Sequence, residues 1–124
     1  MNKVNISIWD RNFDIAVSYS CYPGEHVTEI QEQAVRGLQD NQNEVDNALK
    51  ELKKYVEKTN GIGIKAEQIE NIFKYVMPKN LFVPRTKVET IAILCDYKFD
   101  MENGIAVVFE NGKLKRIGTE YIII

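Results

Sequence analysis

The chain has 124 residues, 44% of them apolar and 27% charged, with a net charge of −2. That is the size and balance of one globular domain able to bury a core without metal or disulfide staples. It excludes a disordered chain, and no apolar run approaches the roughly 20 residues that would span a bilayer.

So mild a net charge gives no pointer to nucleic acid or to an acidic substrate. Residues 1–46 carry eight acids against three bases, and residues 47–124 carry ten against thirteen. This asymmetry makes a charged docking face if the two halves stay apart in space, and cancels if they intermix. Residues 1–10 alternate apolar and polar side chains and lack the basic start and apolar block of a signal peptide. Two isolated cysteines, Cys21 and Cys95, form no C-x-x-C. A cytoplasmic location with small buried thiols is therefore expected, the alternative for the thiols being a redox or adventitious disulfide role.

Strict alternation through Val4-Asn5-Ile6-Ser7-Ile8-Trp9 and again through Phe13-Asp14-Ile15-Ala16-Val17-Ser18-Tyr19 predicts a hairpin turning at Asp10-Arg11-Asn12. Tyr22-Pro23-Gly24 ends it. Thr28 with Gln31 has capping-box spacing, and Ile30, Ala34, Val35 and Leu38 define one face of a helix stopped at Asp40-Asn41. A second helix opens at Gln42 or Asn43, carries the stripe Val45, Ala48, Leu49, Leu52, Tyr55 and Val56, and stops at Asn60-Gly61. Ile69, Ile72, Phe73 and Val76 predict a third short helix ended by Pro78. A brief edge strand at 81–83 follows. Strands over 90–96 and 105–109, an Asn111-Gly112 hairpin turn, and strands over 113–117 and 121–124 complete the chain. The expected fold is α+β: an antiparallel sheet of about six strands, a hairpin then helices then a C-terminal meander, packed on two or three helices as a single domain over 1–124.

The residues that could carry chemistry are few. His26 is the one histidine, five positions from Cys21, with nothing to mark an orienting group or oxyanion donors; it reads as a loop residue. Asp96, Asp100, Glu102 and Asn103 put oxygen donors at a strand end, but their spacing is not that of a calcium loop and turn formers of this kind are commonly solvated. Asp10 and Asp14 could join Asp96 and Asp100 as paired carboxylates if their strands adjoin. Neither phosphate-binding glycine motif occurs, so no cofactor is expected. Lys50, Lys53, Lys54 and Lys58 read as a wet helix face, and Lys113, Lys115 and Arg116 as guards of an edge strand. Trp9, Phe13, Tyr19, Tyr22, Tyr97 and Phe99 gather near strand ends; most belong in a core, with Tyr22, Tyr97 and Phe99 the best candidates for exposure.

The stretch Leu94-Cys95-Asp96-Tyr97-Lys98-Phe99-Asp100-Met101-Glu102-Asn103-Gly104-Ile105-Ala106-Val107, with Asn111-Gly112-Lys113 and Ile117-Gly118, resembles a family of uncharacterised bacterial domains. In that family a Trp-Asp-x-Glu-His-Gly turn precedes a strand, an Asn-Gly-Lys hairpin and a final Val-Gly. Gln31 and the helices ending near Tyr55 are also similar to its layout. Here Phe99 replaces the Trp and Asn103 the His, which removes the best base or ligand of the motif. In size and α+β make-up the family resembles immunity proteins that neutralise bacterial toxins.

The expectation is thus a non-enzymatic, protein-binding domain with no catalytic or metal residues. Its partner would be a toxin or a second copy, with neither nucleic acid nor membrane involved, and its contact residues would be Tyr22, Asp96, Tyr97, Phe99, Asp100 and Glu102. The alternatives are a small metal-dependent enzyme or metal-binding domain using the Asp96, Asp100 and Glu102 turn, and a structural homodimer module.

Overall fold

Ile8 and Arg11 face each other across a two-residue connection, and this decides the first turn. Trp9 (φ 51°) and Asp10 (φ 67°) both occupy the left-handed region, the backbone of a type I′ hairpin. In the computed structural model, which describes residues 2–124, β1 therefore runs Lys3–Ile8 and β2 Arg11–Tyr19. The turn lies one residue earlier than the sequence pattern places it, and Trp9 is in it rather than on the strand. A bulky residue at positive φ costs about 1–3 kcal/mol. Trp9 recovers more than that: it is buried, worth on the order of 5 kcal/mol for so large a side chain. Its Nε1 also donates to the Val45 carbonyl at 3.0 Å.

Helix α1 (Glu29–Asp40) begins as the capping box requires. The Gln31 amide donates to Thr28 Oγ1 at 3.2 Å and the Thr28 amide to Gln31 Oε1 at 2.9 Å. Gln31 does more than cap. Its Nε2 donates to the carbonyls of Ser20 (2.8 Å) and Val83 (3.2 Å), tying the start of α1 to two strand ends. Helix α2 (Gln42–Thr59) buries Val45, Ala48, Leu52 and Val56 along the predicted stripe. Asn60 closes it: Nδ2 donates to the carbonyls of Val56 and Ile64, and Oδ1 accepts from the amides of Ile62 and Ile64.

Two predictions fail in the next segment, both at Pro78. No third α-helix forms; single 3₁₀ turns at Ala66–Gln68 and Ile72–Lys74 lead into β3, which spans Val76–Val83 and lies inside the sheet. The expected brief edge strand is its second half. Pro78 is tolerated because β2 pairs with β3 only over residues 80–83, so the missing N–H faces no neighbouring strand. The register against β4 also slips between Pro78 and Asn80, making Lys79 the extra residue of a bulge. Strands β4 (Thr90–Tyr97), β5 (Ile105–Glu110) and β6 (Lys113–Gly118) follow, the last two joined through Asn111 and Gly112 at positive φ. The final predicted strand is instead a 3₁₀ turn, Glu120–Ile122.

The fold is α+β: one six-stranded sheet in order β1-β2-β3-β4-β5-β6, antiparallel except for the β2–β3 pair, with both helices in the crossover between those two strands. Both edges reach back to the helices. Gln39 Nε2 donates to the Asn5 carbonyl on β1 at 3.3 Å, and Glu44 Oε1 accepts the Leu114 amide on β6 at 3.0 Å. Each edge strand thus has a backbone group occupied by a helix side chain, which discourages pairing with another chain. The main core fills the space between helices and sheet. A second, smaller cluster, Ala92, Leu94, Ala106 and Val108, lies on the opposite sheet face. No helix among the described residues is long and apolar enough to cross a membrane.

Candidate functional site

The carboxylates of the β4–β5 hairpin turn away from one another. Both oxygens of Asp100 accept from Asn103, through Nδ2 at 3.0 and 3.2 Å and through its amide at 3.2 Å, so this pair shapes the turn. Asp96 pairs instead with Lys79 at 3.6 Å, across the strand, and Glu102 is exposed. Among the described residues no three His, Cys, Asp or Glu side chains gather as a metal site. The Asp96, Asp100 and Glu102 cluster is thus a sequence neighbourhood that the fold disperses. Asp10 lies in the β1–β2 turn and Asp14 on β2, with β3 between them and β4. His26 is exposed in the loop before α1 and Cys21 half-buried. Cys95 is fully buried, and burial pushes its thiol far above the usual range, so it behaves as a small hydrophobe.

The aromatic residues divide differently from the expectation. Tyr97 is 2% exposed, which corrects its place among surface candidates. It points into the core, its hydroxyl 2.7 Å from Thr59 Oγ1, because its strand is buried on both faces and alternation there does not say which side is wet. Phe99 is half-buried, stacked on Tyr75 at 5.6 Å and edge-on to Tyr97 at 5.7 Å. Tyr22 is 61% exposed, with the Arg85 guanidinium 4.8 Å above its ring and Arg85 in turn 2.9 Å from Glu25.

What the fold does bring together is the sheet face away from the helices. Its centre is apolar: Ala92 and Leu94 on β4, Ala106 and Val108 on β5, and Phe82 on β3. Residues 119–124 cross this centre and lay Ile122 and Ile123 on it. Three clefts open along this face, and residues 120–124 help line two of them. One is lined by Met77, Met101 and Asp96, one by Glu102, Tyr121 and Ile124, and one by Tyr22, Phe82, Arg85 and Ile123. Of the seven large apolar side chains exposed among the described residues, five (Tyr22, Met77, Met101, Tyr121 and Ile124) line these clefts; Ile62 and Val88 are the other two. Exposed thioethers and aromatics grouped on one face, with polar residues interspersed, are the composition of an interaction surface.

Three of the residues singled out from sequence, Tyr22, Asp96 and Glu102, sit on this face. Met77, Lys79, Met101, Glu120, Tyr121 and Ile124 escaped that reading. Met77 and Lys79 were hidden by the helix pattern ending at Pro78, and Tyr121 and Ile124 by an apolar run that read as a strand. A family model, that of a domain of unknown function designated DUF6985, matches residues 1–124. No curated protein matches the chain, and no solved structure does.

Proposed function

The chain belongs to the DUF6985 family, whose function is unknown, and from its geometry we propose that it is a protein-binding domain rather than an enzyme, docking its partner on the helix-free face of the sheet. The observation that carries this reading is the collection of Tyr22, Met77, Met101, Tyr121 and Ile124 on that one face. Apolar side chains left in water at a single place gain free energy when a partner covers them, and rigid aromatics and adaptable methionines are the residue types that supply such contacts.

We further propose that the partner is a bacterial toxin and that the domain acts in the cytoplasm as an immunity-type protein. The support is the likeness of the chain, in size and α+β make-up, to immunity proteins that neutralise bacterial toxins. A second copy of the chain is the competing occupant of the same face.

The test is growth of a bacterial host expressing the product of the gene adjacent to this one, with and without the domain. Protection that is lost in a Met101→Asp, Tyr121→Asp double variant, yet kept in Lys54→Ala on the outer face of α2, is the expected result. Protection untouched by the double variant, or no toxicity to relieve, sinks the proposal. Light scattering on the purified chain separates the second reading, since a dimer abolished by the same variant would assign the face to a second copy.

A further inference from the structure

Residues 119–124 are fastened to the helix-free face by contacts that the rest of the chain is shaped to allow. Lys79, the extra residue of the β3 bulge, places its ammonium 2.7 Å from Glu120 Oε1 and 3.6 Å from Asp96 Oδ1. A bulge re-aims one side chain in this way, and such irregularities concentrate at functional places. Gly104, at φ +59°, leaves room for the Glu120 carboxylate: a Cβ there would stand 2.8 Å from Glu120 Oε1 and 2.7 Å from the Cys95 carbonyl. At Gly118 a Cβ would meet Ile122 Cγ2 at 3.0 Å. The Glu120 amide donates to the Asn103 carbonyl at 3.1 Å and Arg116 Nη2 to the Ile122 carbonyl at 3.1 Å.

Beneath the segment Ala92 and Ala106 are fully buried and Leu94 and Val108 nearly so. The segment itself is held lightly. Ile122 and Ile123 are only half-buried, and the Lys79 and Glu120 side chains are 39% and 20% exposed. Ordering six backbone residues costs free energy of the same order as these few contacts return. The β4–β5 ladder is sealed on both faces and bears no such cost balance.

We propose that residues 119–124 form a strap that opens while the sheet stays folded, with the Lys79–Glu120 ion pair as its latch. Opening uncovers the apolar centre of β4 and β5 and removes Tyr121 and Ile124 from the cleft they line with Glu102 and Asn103. The strap therefore controls which surface the face presents. This rests on the reading of that face as the docking surface, but the opening itself needs no partner.

Amide hydrogen exchange followed by NMR on the isolated protein tests it. The amides of Glu120 and Ile124, which donate to the Asn103 and Glu120 carbonyls, should exchange at least about a hundredfold faster than those of the β4–β5 ladder. Lys79→Ala should speed them by a further factor of about three to ten, the worth of one partly exposed ion pair, and leave the ladder amides unchanged. Lys53→Ala on α2 should alter neither. Strap amides exchanging only with the ladder, or a strap indifferent to Lys79→Ala, would overturn the proposal. Since no partner is present, failure here leaves the docking proposal standing, and failure of docking leaves the strap standing.

Discussion

At the scale of single residues, the Tyr97 hydroxyl lies 2.7 Å from Thr59 Oγ1, where the end of β4 meets the last turn of α2. Burial raises the Tyr97 phenol above its usual 10.0, opposed in part by the Thr59 hydrogen bond. Lys79 is raised above 10.5, chiefly by its hydrogen bond to Glu120, against some opposition from burial. Both shifts have the same consequence. A group whose folded pKa lies above its unfolded one contributes stability in full below the unfolded value and loses it as pH climbs through the folded value. The urea midpoint should therefore show no decline from these two groups between about pH 7 and 9, and fall above about pH 10. In Tyr97→Phe that alkaline fall should be shallower. A midpoint that declines equally in both proteins would show that the phenol is not titrating against its burial.

At the scale of elements, what was legible in the sequence was whatever local chemistry decides alone. Thr28 and Gln31 announce the start of α1, the stripe from Val45 to Val56 announces α2, and Asn111-Gly112 announces the β5–β6 turn. The missing parts are those decided by tertiary pairing. Pro78 argues against a central strand until it is known that β2 stops short of it. The run from Tyr121 to Ile124 has strand composition, yet it turns over the sheet face instead of along the open side of β6, with Glu120 held there by Lys79. Tyr22, Asp96 and Glu102 could be found because turn-flanking polar and aromatic residues stand out locally; their union on one face could not, since it needs the register of β3 against β4. The same pairing logic covers the β6 edge. Replacing Glu44 by Ala frees the Leu114 amide, so the variant should lose about 1–2 kcal/mol in urea titration and associate further at high concentration by light scattering. A Glu44→Ala protein of unchanged stability that remains monomeric would show that Lys113, Lys115 and Arg116 guard that edge unaided.

For the whole molecule, the two sheet faces do different work. One is consumed by the helices, whose stripes fill the main core; the other holds four buried small or medium side chains with Phe82 beside them and a light strap above. Such a face is too apolar to be ordinary wet surface and too small to be a second core. That imbalance is the central claim, and Met77 and Met101, residues 38% and 64% exposed, report on it directly through their methyl groups. With both methyls isotope-labelled, together with those of Ile30 and Leu49 on the helix side, the protein is titrated with the product of the adjacent gene and followed by NMR. The account predicts that the two methionine signals shift or broaden up to equimolar partner while Ile30 and Leu49 hold still. Perturbations confined to Ile30 and Leu49 would contradict it.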